Sequence, residues 1–575
     1  MDALKKLDKW IAVEDTSTER GEDQIRSNED LDPTPSDRRT WKMYNYILIW
    51  AQSAFNVNEW NTGASLMKAS GLPYGQTIGS AIFSIFVAVI FTIANARAGS
   101  TYHIGYPTLA RATFGVYGAY FFVAARGFVA IIWFSVQSYY GSMCLDVALR
   151  CMFGHKWLDL KNHLPASADV QSRILLAFFL FWLIQFPLMF VHPRQIRHFF
   201  TVKSFVLPCA TIGLLIFCVK KGHGPGNYDL GLPISTSSSA IGWGWMSVMN
   251  SIFGTISPMI INQPDIARYA KKPSDTILPQ AIGFVLAKIM IMVVGMVATA
   301  SIYRSYGEVY WNMWDLMNAI LDHSWNAGAR TGVFFVAVSF GIGTAGTNIF
   351  GNSIPFACDI TGLLPKYFTI LRGQIVVAIL AWAIVPWKFL TDAAKFLTFL
   401  GSYSIFVGPI LGCMLADYYF VKRGNIHVPS LFTKKSSGVY HYVYGWNLWA
   451  CFAWAGAASI CIPGLYRAYY PESLSISATR MYQMGYILTT ISSMVFYYCL
   501  SLIFKPQIYP EAHRDTPKTW EYMRTTDGFF EDDSPIGKVG YFGSVDVFTG
   551  EKVDTSEGSS VKTKSEKILE TVSIV

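Results

Sequence analysis

Trp133 and Gln137 stand four residues apart in the run ARGFVAIIWFSVQSYYG, residues 125–141. That spacing puts both on one face of a helix. An indole plane beside a carboxamide can stack on a flat ring and pair with its N–H and C=O edge. A packed tryptophan with a glutamine bonded to a neighbouring helix fits the same spacing. Asn348 and Asn352 repeat the four-residue step in FGIGTAGTNIFGNSIPFACDI, residues 340–360, and Asp359 follows seven beyond Asn352. Amides that bond one helix to another explain one such asparagine well and two less well. QSAFNVNEWNTG, residues 52–63, sets Asn56, Asn58, Glu59 and Asn61 between the apolar stretches YILIWA and ASLM. Glu59 and Lys203 are ionisable groups in apolar surroundings, where such groups are costly and by default functional or paired. Both suit a proton carrier; for Lys203 a snorkelling place near a helix end serves as well. Arg126, seven residues before Trp133, suits an ion pair or a snorkelling anchor, and Lys288 a structural pair.

The elements that position these groups live in lipid. Of 575 residues, 52% are hydrophobic, 15% aromatic and only 15% charged, against about 25% charged in ordinary soluble proteins. A bilayer crossing takes about 20 mostly apolar residues. Twelve such runs occur, near 43–69, 75–97, 117–145, 173–191, 196–219, 240–262, 277–303, 331–358, 370–390, 394–421, 446–466 and 478–504. They are numbered here as spans 1 to 12. The reading is an all-α polytopic membrane protein with a tail at 1–42, a transmembrane core at 43–504 and a tail at 505–575. An even span count returns the chain to its starting side. The loops of that side carry more Lys and Arg (Arg38, Arg39 and Lys42; Arg194 and Arg197; Arg268, Lys271 and Lys272; Lys422 and Arg423), so both termini are expected in the cytosol. The first 42 residues are polar and hold no signal-peptide core. The C-terminal EKVDTSEGSSVKTKSEK has the composition of a disordered regulatory tail.

Several function classes recede on the same grounds. The nine cysteines lack metal-ligand spacing and read as small core residues. A net charge of +8 suits faces beside anionic lipid, and no basic stripe points to nucleic acid. No nucleophile–base pair, metal cluster or phosphate-binding loop is visible, so neither an enzyme nor a cofactor is expected.

Two spans break the usual rule that a helix in hydrocarbon is uninterrupted. Span 1 is polar at its midpoint. Span 6, MNSIFGTISPMIINQPD (residues 249–265), has Gly254 and Pro258 in its middle. Interrupted spans five apart are the trace of a transporter built from two inverted five-helix repeats, with substrate bound at the midplane.

The chain resembles the fungal uracil/allantoin/uridine permease branch of the nucleobase–cation symporter-1 family. The resemblance runs from about Trp41 to Lys505. It rests on FNVNEWNTG in span 1, RGFVAIIWFSVQSYYG in span 3, NQPDIARYAK after span 6, GTNIFGNS in span 8 and LADYYFVKRG after span 10. It implies a leucine-transporter-like core of ten helices in a 5+5 inverted repeat, plus two extra helices, working by alternating access. Trp133 then stacks on the substrate ring while Gln137 and Asn352 read its polar edge. Asn348 matches a second family amide, and Glu59, Lys203 and Asp359 match residues of gating and proton coupling. Where a bacterial sodium-coupled relative has two consecutive hydroxyl residues on span 8, this chain reads Gly346-Thr347, which weakens an oxygen-lined sodium cage and agrees with proton coupling. A tryptophan of that relative near Ile256 has no aromatic counterpart, leaving Phe253 to complete the sandwich after a local rearrangement.

The expectation is a plasma-membrane proton symporter importing a small planar ring, uracil first, with allantoin or uridine as alternatives. A nutrient sensor with little transport is the alternative from another class. The co-transported ion is H+ rather than Na+. Gly63 is expected to ease the return to helix after the unwound part of span 1. Ubiquitination machinery acting on Lys5, Lys6 or Lys9 of the tail is suggested by the fungal permeases.

Overall fold

Eight helices among the described residues are long and apolar enough to cross a bilayer: Tyr74–Tyr102, Gly118–Phe153, Ser172–Phe190, Pro273–Tyr306, Ala327–Leu363, Ala393–Val421, Leu448–Tyr469 and Gly485–Ile503. They correspond to spans 2, 3, 4, 7, 8, 10, 11 and 12. The computed structural model describes residues 2–17, 23–190, 197–224, 230–388, 390–471, 474–506 and 520–521, with four two-residue strand segments between 530 and 546. Arg194 and nearly all of the C-terminal tail, with its expected disorder, lie outside those residues. The other four predicted runs are helical as well. Span 1 is two pieces, Met43–Ala54 and Val57–Ala69; span 5 is Arg197–Lys221, span 6 Ser238–Ile261 and span 9 Ile370–Leu380.

Span 3 lies along span 8, with spans 4 and 9 against the same pair; span 1 packs on span 7, and span 2 on spans 6 and 7. The result is two four-helix bodies, 1-2-6-7 and 3-4-8-9. Spans n and n+5 fall in the same body, as a five-helix unit repeated in the opposite sense requires. Span 5 bridges spans 7 and 8, while span 10 touches spans 6, 1 and 3. Span 12, bent at Met484, braces span 10 from outside, and span 11 packs on span 12.

Span 6 carries its interruption elsewhere than expected. The helix runs without a gap through Gly254 and Pro258 and breaks at Asn262, before the short helix Gln263–Ala267. The physical reason is local. Proline removes one helical donor, the one owed to the carbonyl four residues earlier, and that carbonyl, Gly254 O, is bonded instead by the Tyr403 hydroxyl of span 10. A single deleted hydrogen bond replaced from outside does not force the helix to unwind. Gly63 is a second correction. It lies inside the helix Val57–Ala69, and its lack of a side chain lets span 1 approach the Met292 backbone of span 7, where a methyl would collide.

The N-terminal tail forms a strap that composition did not announce. Its residues Ile25, Ser27, Asn28, Leu31 and Thr34 are buried. Asn28 Nδ2 donates to Pro365 O (3.1 Å) and Phe368 O (2.9 Å), and the Ile370 N–H donates to Asp30 Oδ2 (3.0 Å), tying the strap to the loop between spans 8 and 9. Gln24 bridges to Thr433 beyond span 10. Arg268, just past span 6, donates to Thr34 Oγ1 (2.7 Å), to Asp30 O (3.0 Å) and to Asp32 O. The strap therefore ties both four-helix bodies together on the face that carries it. Beside it, burial pushes His103 down to about 4. At neutral pH the ring is uncharged, so its contact with Arg268 O (3.0 Å) requires the proton on Nδ1.

Two outcomes are expected. Arg268→Ala removes three bonds from the strap, and hydrogen bonds from a charged donor are worth about 1.5–3 kcal/mol each. Tryptic cleavage at Arg26 of the intact protein should accelerate at least about tenfold, while the core melts near the parent temperature; unchanged cleavage would contradict the strap's anchoring. Arg126 and Asp359 form a buried pair between spans 3 and 8 at 2.5 Å. Removing one partner of such a pair costs about 3–5 kcal/mol, whereas replacing both is often neutral. Asp359→Ala should thus lower the unfolding midpoint of detergent-solubilised protein by several degrees. The Arg126→Met/Asp359→Leu double variant should recover most of that loss.

Candidate functional site

The two halves of span 1 are separated by residues 55 and 56 alone. A helix end leaves carbonyls without donors, and a helix start leaves N–H groups without acceptors. Asn56 serves both. Its Nδ2 donates to Ser53 O (2.7 Å) and Ala54 O (3.2 Å), and its Oδ1 accepts from the Glu59 N–H (3.2 Å). The neighbouring polar residues have separate duties. Asn61 Oδ1 accepts from the Met313 N–H (2.9 Å), capping the helix Met313–His323 between spans 7 and 8. Glu59 is ion-paired with Lys288 of span 7, and both are buried. Lys288 is therefore the partner of Glu59. Among the described residues, Glu59 Oε2 and Asn58 Oδ1 are buried without a hydrogen-bond partner.

Where the two bodies meet, span 3 brings Trp133 and Gln137 to one face, both almost fully buried. Trp133 Nε1 donates to the Tyr403 hydroxyl at 2.8 Å. Phe399 and Tyr403, one turn apart on span 10, hold their rings 5.9 and 6.4 Å from that of Trp133. Gln137 Oε1 is buried and has no hydrogen-bond partner among the described residues. Across from span 3, span 8 passes through a π-helical turn, Ile349–Ser353, which carries Asn352. Such a turn inserts an extra residue and re-aims the side chains beyond it, frequently at functional sites.

The two asparagines of span 8 divide their work. Asn348 Nδ2 contacts Phe134 O (3.0 Å), Ser138 Oγ (3.1 Å) and Gln185 Oε1 (3.2 Å), and Asn348 Oδ1 accepts from Asn352 Nδ2 (2.9 Å). Asn348 is thus fully used in orienting Asn352 against spans 3 and 4. Asn352 spends one N–H on this bond, and no other side-chain bond of it is found among the described residues. A buried amide held this way presents a donor and an acceptor together.

Phe253 does not complete a sandwich with Trp133. Its ring is fully buried, stacked on Tyr486 of span 12 (centroids 4.4 Å, 14° between planes) and edge-on to Phe91 of span 2 at 5.9 Å. Span 12 supplies a flat partner on the far side of span 6, and stacking there holds the ring away from the site. The aromatic surface near Trp133 comes from span 10 instead.

Lys203 is buried at the junction of spans 5, 1 and 8. Its Nζ donates to Thr347 Oγ1 (2.6 Å) and approaches Gln52 Oε1 at 3.3 Å; Thr347 Oγ1 in turn contacts Ser53 O (3.3 Å). The ammonium lies at the C-terminal end of the first half of span 1, where the helix dipole favours a cation. Among the described residues no carboxylate lies within ion-pair distance of it. Asp359 stands seven residues past Asn352, paired with Arg126 while its Oδ1 and the Arg126 Nε and Nη2 atoms are unbonded. The sequence reading names Trp133, Gln137, Asn348, Asn352, Glu59, Lys203 and Asp359 among these groups. It missed Tyr403 and Phe399, whose only signal is the polar GSYS cluster within the apolar span 10, and Thr347 and Gln185 as positioning partners.

Comparison with known proteins bears on the family and the fold. A family model described as "Permease for cytosine/purines, uracil, thiamine, allantoin" matches residues 33–489. The chain is 32% identical over 500 residues to the allantoin permease of Saccharomyces cerevisiae, covering 86% of this chain and 78% of that one. It is 30% identical over 475 residues to the uracil permease of the same yeast (81% and 74%), and 32% identical over 498 residues to its uridine permease (83% and 75%). Among solved structures, the inward-facing conformation of Mhp1 superposes with a TM-score of 0.65 at 20% identity, over 84% of this chain and 96% of that chain. Mhp1 closed around bromovinylhydantoin scores the same 0.65. The fold is accordingly the leucine-transporter-like inverted repeat, and the relatives are transporters rather than enzymes. The chain belongs to the nucleobase–cation symporter-1 family of membrane permeases.

Proposed function

We propose that this protein imports a small, planar, uncharged heterocycle in symport with protons, uracil first, across a plasma membrane with both termini in the cytosol. The observation that supports the reading is the buried Gln137 Oε1, without a partner among the described residues, one turn from Trp133 on the helix to which Asn348 is bonded while it holds Asn352. A pyrimidinedione edge alternates N–H and C=O. Gln137 Oε1 accepts from a ring N–H, Asn352 donates to a ring carbonyl, and Trp133 covers one ring face. Allantoin presents a similar edge, and the 32% identity to an allantoin permease supports it as the second cargo to test.

Proton coupling is supported by Lys203. Its ammonium takes up the one hydroxyl, Thr347, left of the pair that a sodium site would use. A tethered cation held only by neutral oxygens can lose its proton when span 1 moves away from span 8, and can regain one from the outside. Glu59, compensated by Lys288, acts as the gate anchor that keeps span 1 on span 7.

In cells lacking their own permeases, uptake of radiolabelled uracil should be strong at pH 5, weak at pH 8 and collapsed by a protonophore. Gln137→Ala and Asn352→Ala each leave a buried polar group unpaired, about 1–3 kcal/mol, and should abolish measurable uptake at normal surface expression. Lys203→Met should remove the acid dependence together with accumulation. Absence of accumulation for uracil, with allantoin and uridine taken up, would move the cargo to those rings; binding without accumulation of any of them would leave the sensor reading.

A further inference from the structure

The first helix of the chain, Asp2–Ile11, precedes the strap and belongs to none of the spans. Its sequence DALKKLDKWI separates by type at 3.6 residues per turn. Leu4, Leu7, Trp10 and Ile11 fall on one face, and Lys5, Lys6 and Lys9 on the other. A helix of 10 residues is marginal in water by itself and is held by what its apolar face lies on. Yet Trp10, on that face, is 81% exposed.

The contacts of this helix use its other side and its end. Asp8 pairs with Lys366 (2.7 Å) and accepts from the Tyr367 hydroxyl (3.0 Å). Arg372 donates to Ile11 O, and the Val13 N–H donates to Lys366 O (2.8 Å). The helix is thereby pinned to the loop between spans 8 and 9. Spans 8 and 9 leave hydrocarbon at this loop, and Leu364 and Leu371 are exposed on its two sides. Trp10 therefore stands at the edge of the bilayer. The charge there is basic. Lys6, Lys9 and Arg372 are exposed against one exposed acid, Glu14, while Asp8 is neutralised by Lys366.

We propose that the helix Asp2–Ile11 lies on an anionic lipid leaflet, with Trp10 among the headgroups and its lysines facing their negative charge. The leaflet is the inner one, which rests on the reading that both termini are cytosolic. An amphipathic helix with tryptophan on one face and lysines on the other settles in the plane of the interface. An indole suits the headgroup level, and each lysine gains from the negative surface potential. A second copy of the helix is a poorer cover for the apolar face, because it brings the same lysines.

The test places the full-length protein in nanodiscs of phosphatidylcholine, alone or mixed with an equal share of phosphatidylserine. Hydrogen exchange of the peptide 2–11 should slow at least about tenfold with phosphatidylserine, as three lysines near such a surface require. The strap peptide 23–34 should not change and serves as the control for folding. High salt should remove most of the difference. Lys6→Gln/Lys9→Gln should lose the effect of phosphatidylserine, whereas Trp10→Glu should speed exchange in both lipids. Equal exchange in the two lipids, with no effect of Trp10→Glu, would overturn the proposal. Protection that persists in lipid-free amphipol would overturn it in favour of a cover from this chain, and protection that grows with protein concentration in favour of a second copy. Both faces of a nanodisc carry the same lipid, so these results do not depend on the side of the termini. Protease cleavage of an N-terminal tag from outside sealed cells would overturn the cytosolic reading and leave the lipid contact standing.

Discussion

Backbone groups in a hydrocarbon layer have no water to fall back on, and every break in a helix must be answered by a named partner. The helical ladder is interrupted at residues 55–56 and again at Gly254, and the two answers differ. At residues 55–56 the answer is local. Asn56 takes the loose carbonyls on one side and the loose N–H on the other, so span 1 can part into two half-helices at no cost to its neighbours. At Gly254 the answer comes from Tyr403, far away in sequence on another helix. A local answer depends on span 1 alone; a remote one depends on how span 10 packs against span 6.

The buried charges sort by the same criterion. Lys422 and Asp417 form a pair near the end of span 10, and every further partner is at hand: Ala112 O (2.6 Å) and the Tyr442 hydroxyl (3.2 Å) for the lysine, the Thr113 (3.1 Å) and Tyr497 (2.9 Å) hydroxyls for the aspartate. A network this complete is rigid and structural. Arg126–Asp359 and Lys288–Glu59 each leave a carboxylate oxygen unbonded. Arg126–Asp359 joins spans 3 and 8, and Lys288–Glu59 joins spans 7 and 1.

Much of this was legible because it depends on spacing within one helix. Trp133 with Gln137, and Asn348 with Asn352, need only the four-residue step, and the polar centre of span 1 betrays itself by composition. What escaped the sequence depends on which helix stands opposite. Nothing near Phe253 reveals that Tyr486 of span 12 will stack on it, nor does GTNIFGNS say that Asn348 will bond spans 3 and 4 while it holds Asn352. Pro258 reads as a kink until the Tyr403 hydroxyl is seen to replace its missing donor. The strap was hidden for a different reason: its burial comes from polar residues such as Asn28 and Thr34 bonding to loop backbone, and no hydrophobic pattern marks that.

On the proposed reading, Lys203 takes the place of a bound ion by the same physics. A free cation between spans 1 and 8 needs a shell of several oxygens to replace its water, and it loses translational freedom on binding. An ammonium on a side chain has already lost that freedom. It asks for only as many acceptors as it has N–H groups, and Thr347 Oγ1, Gln52 Oε1 and the negative end of a half-helix meet that smaller demand. A glycine at position 346, where a sodium cage would place another oxygen, then carries no penalty. On the proposed reading, the neutral acceptors are the essential feature. A carboxylate in their place would hold the charge on Lys203 through every state, and the coupling step would have nothing to release.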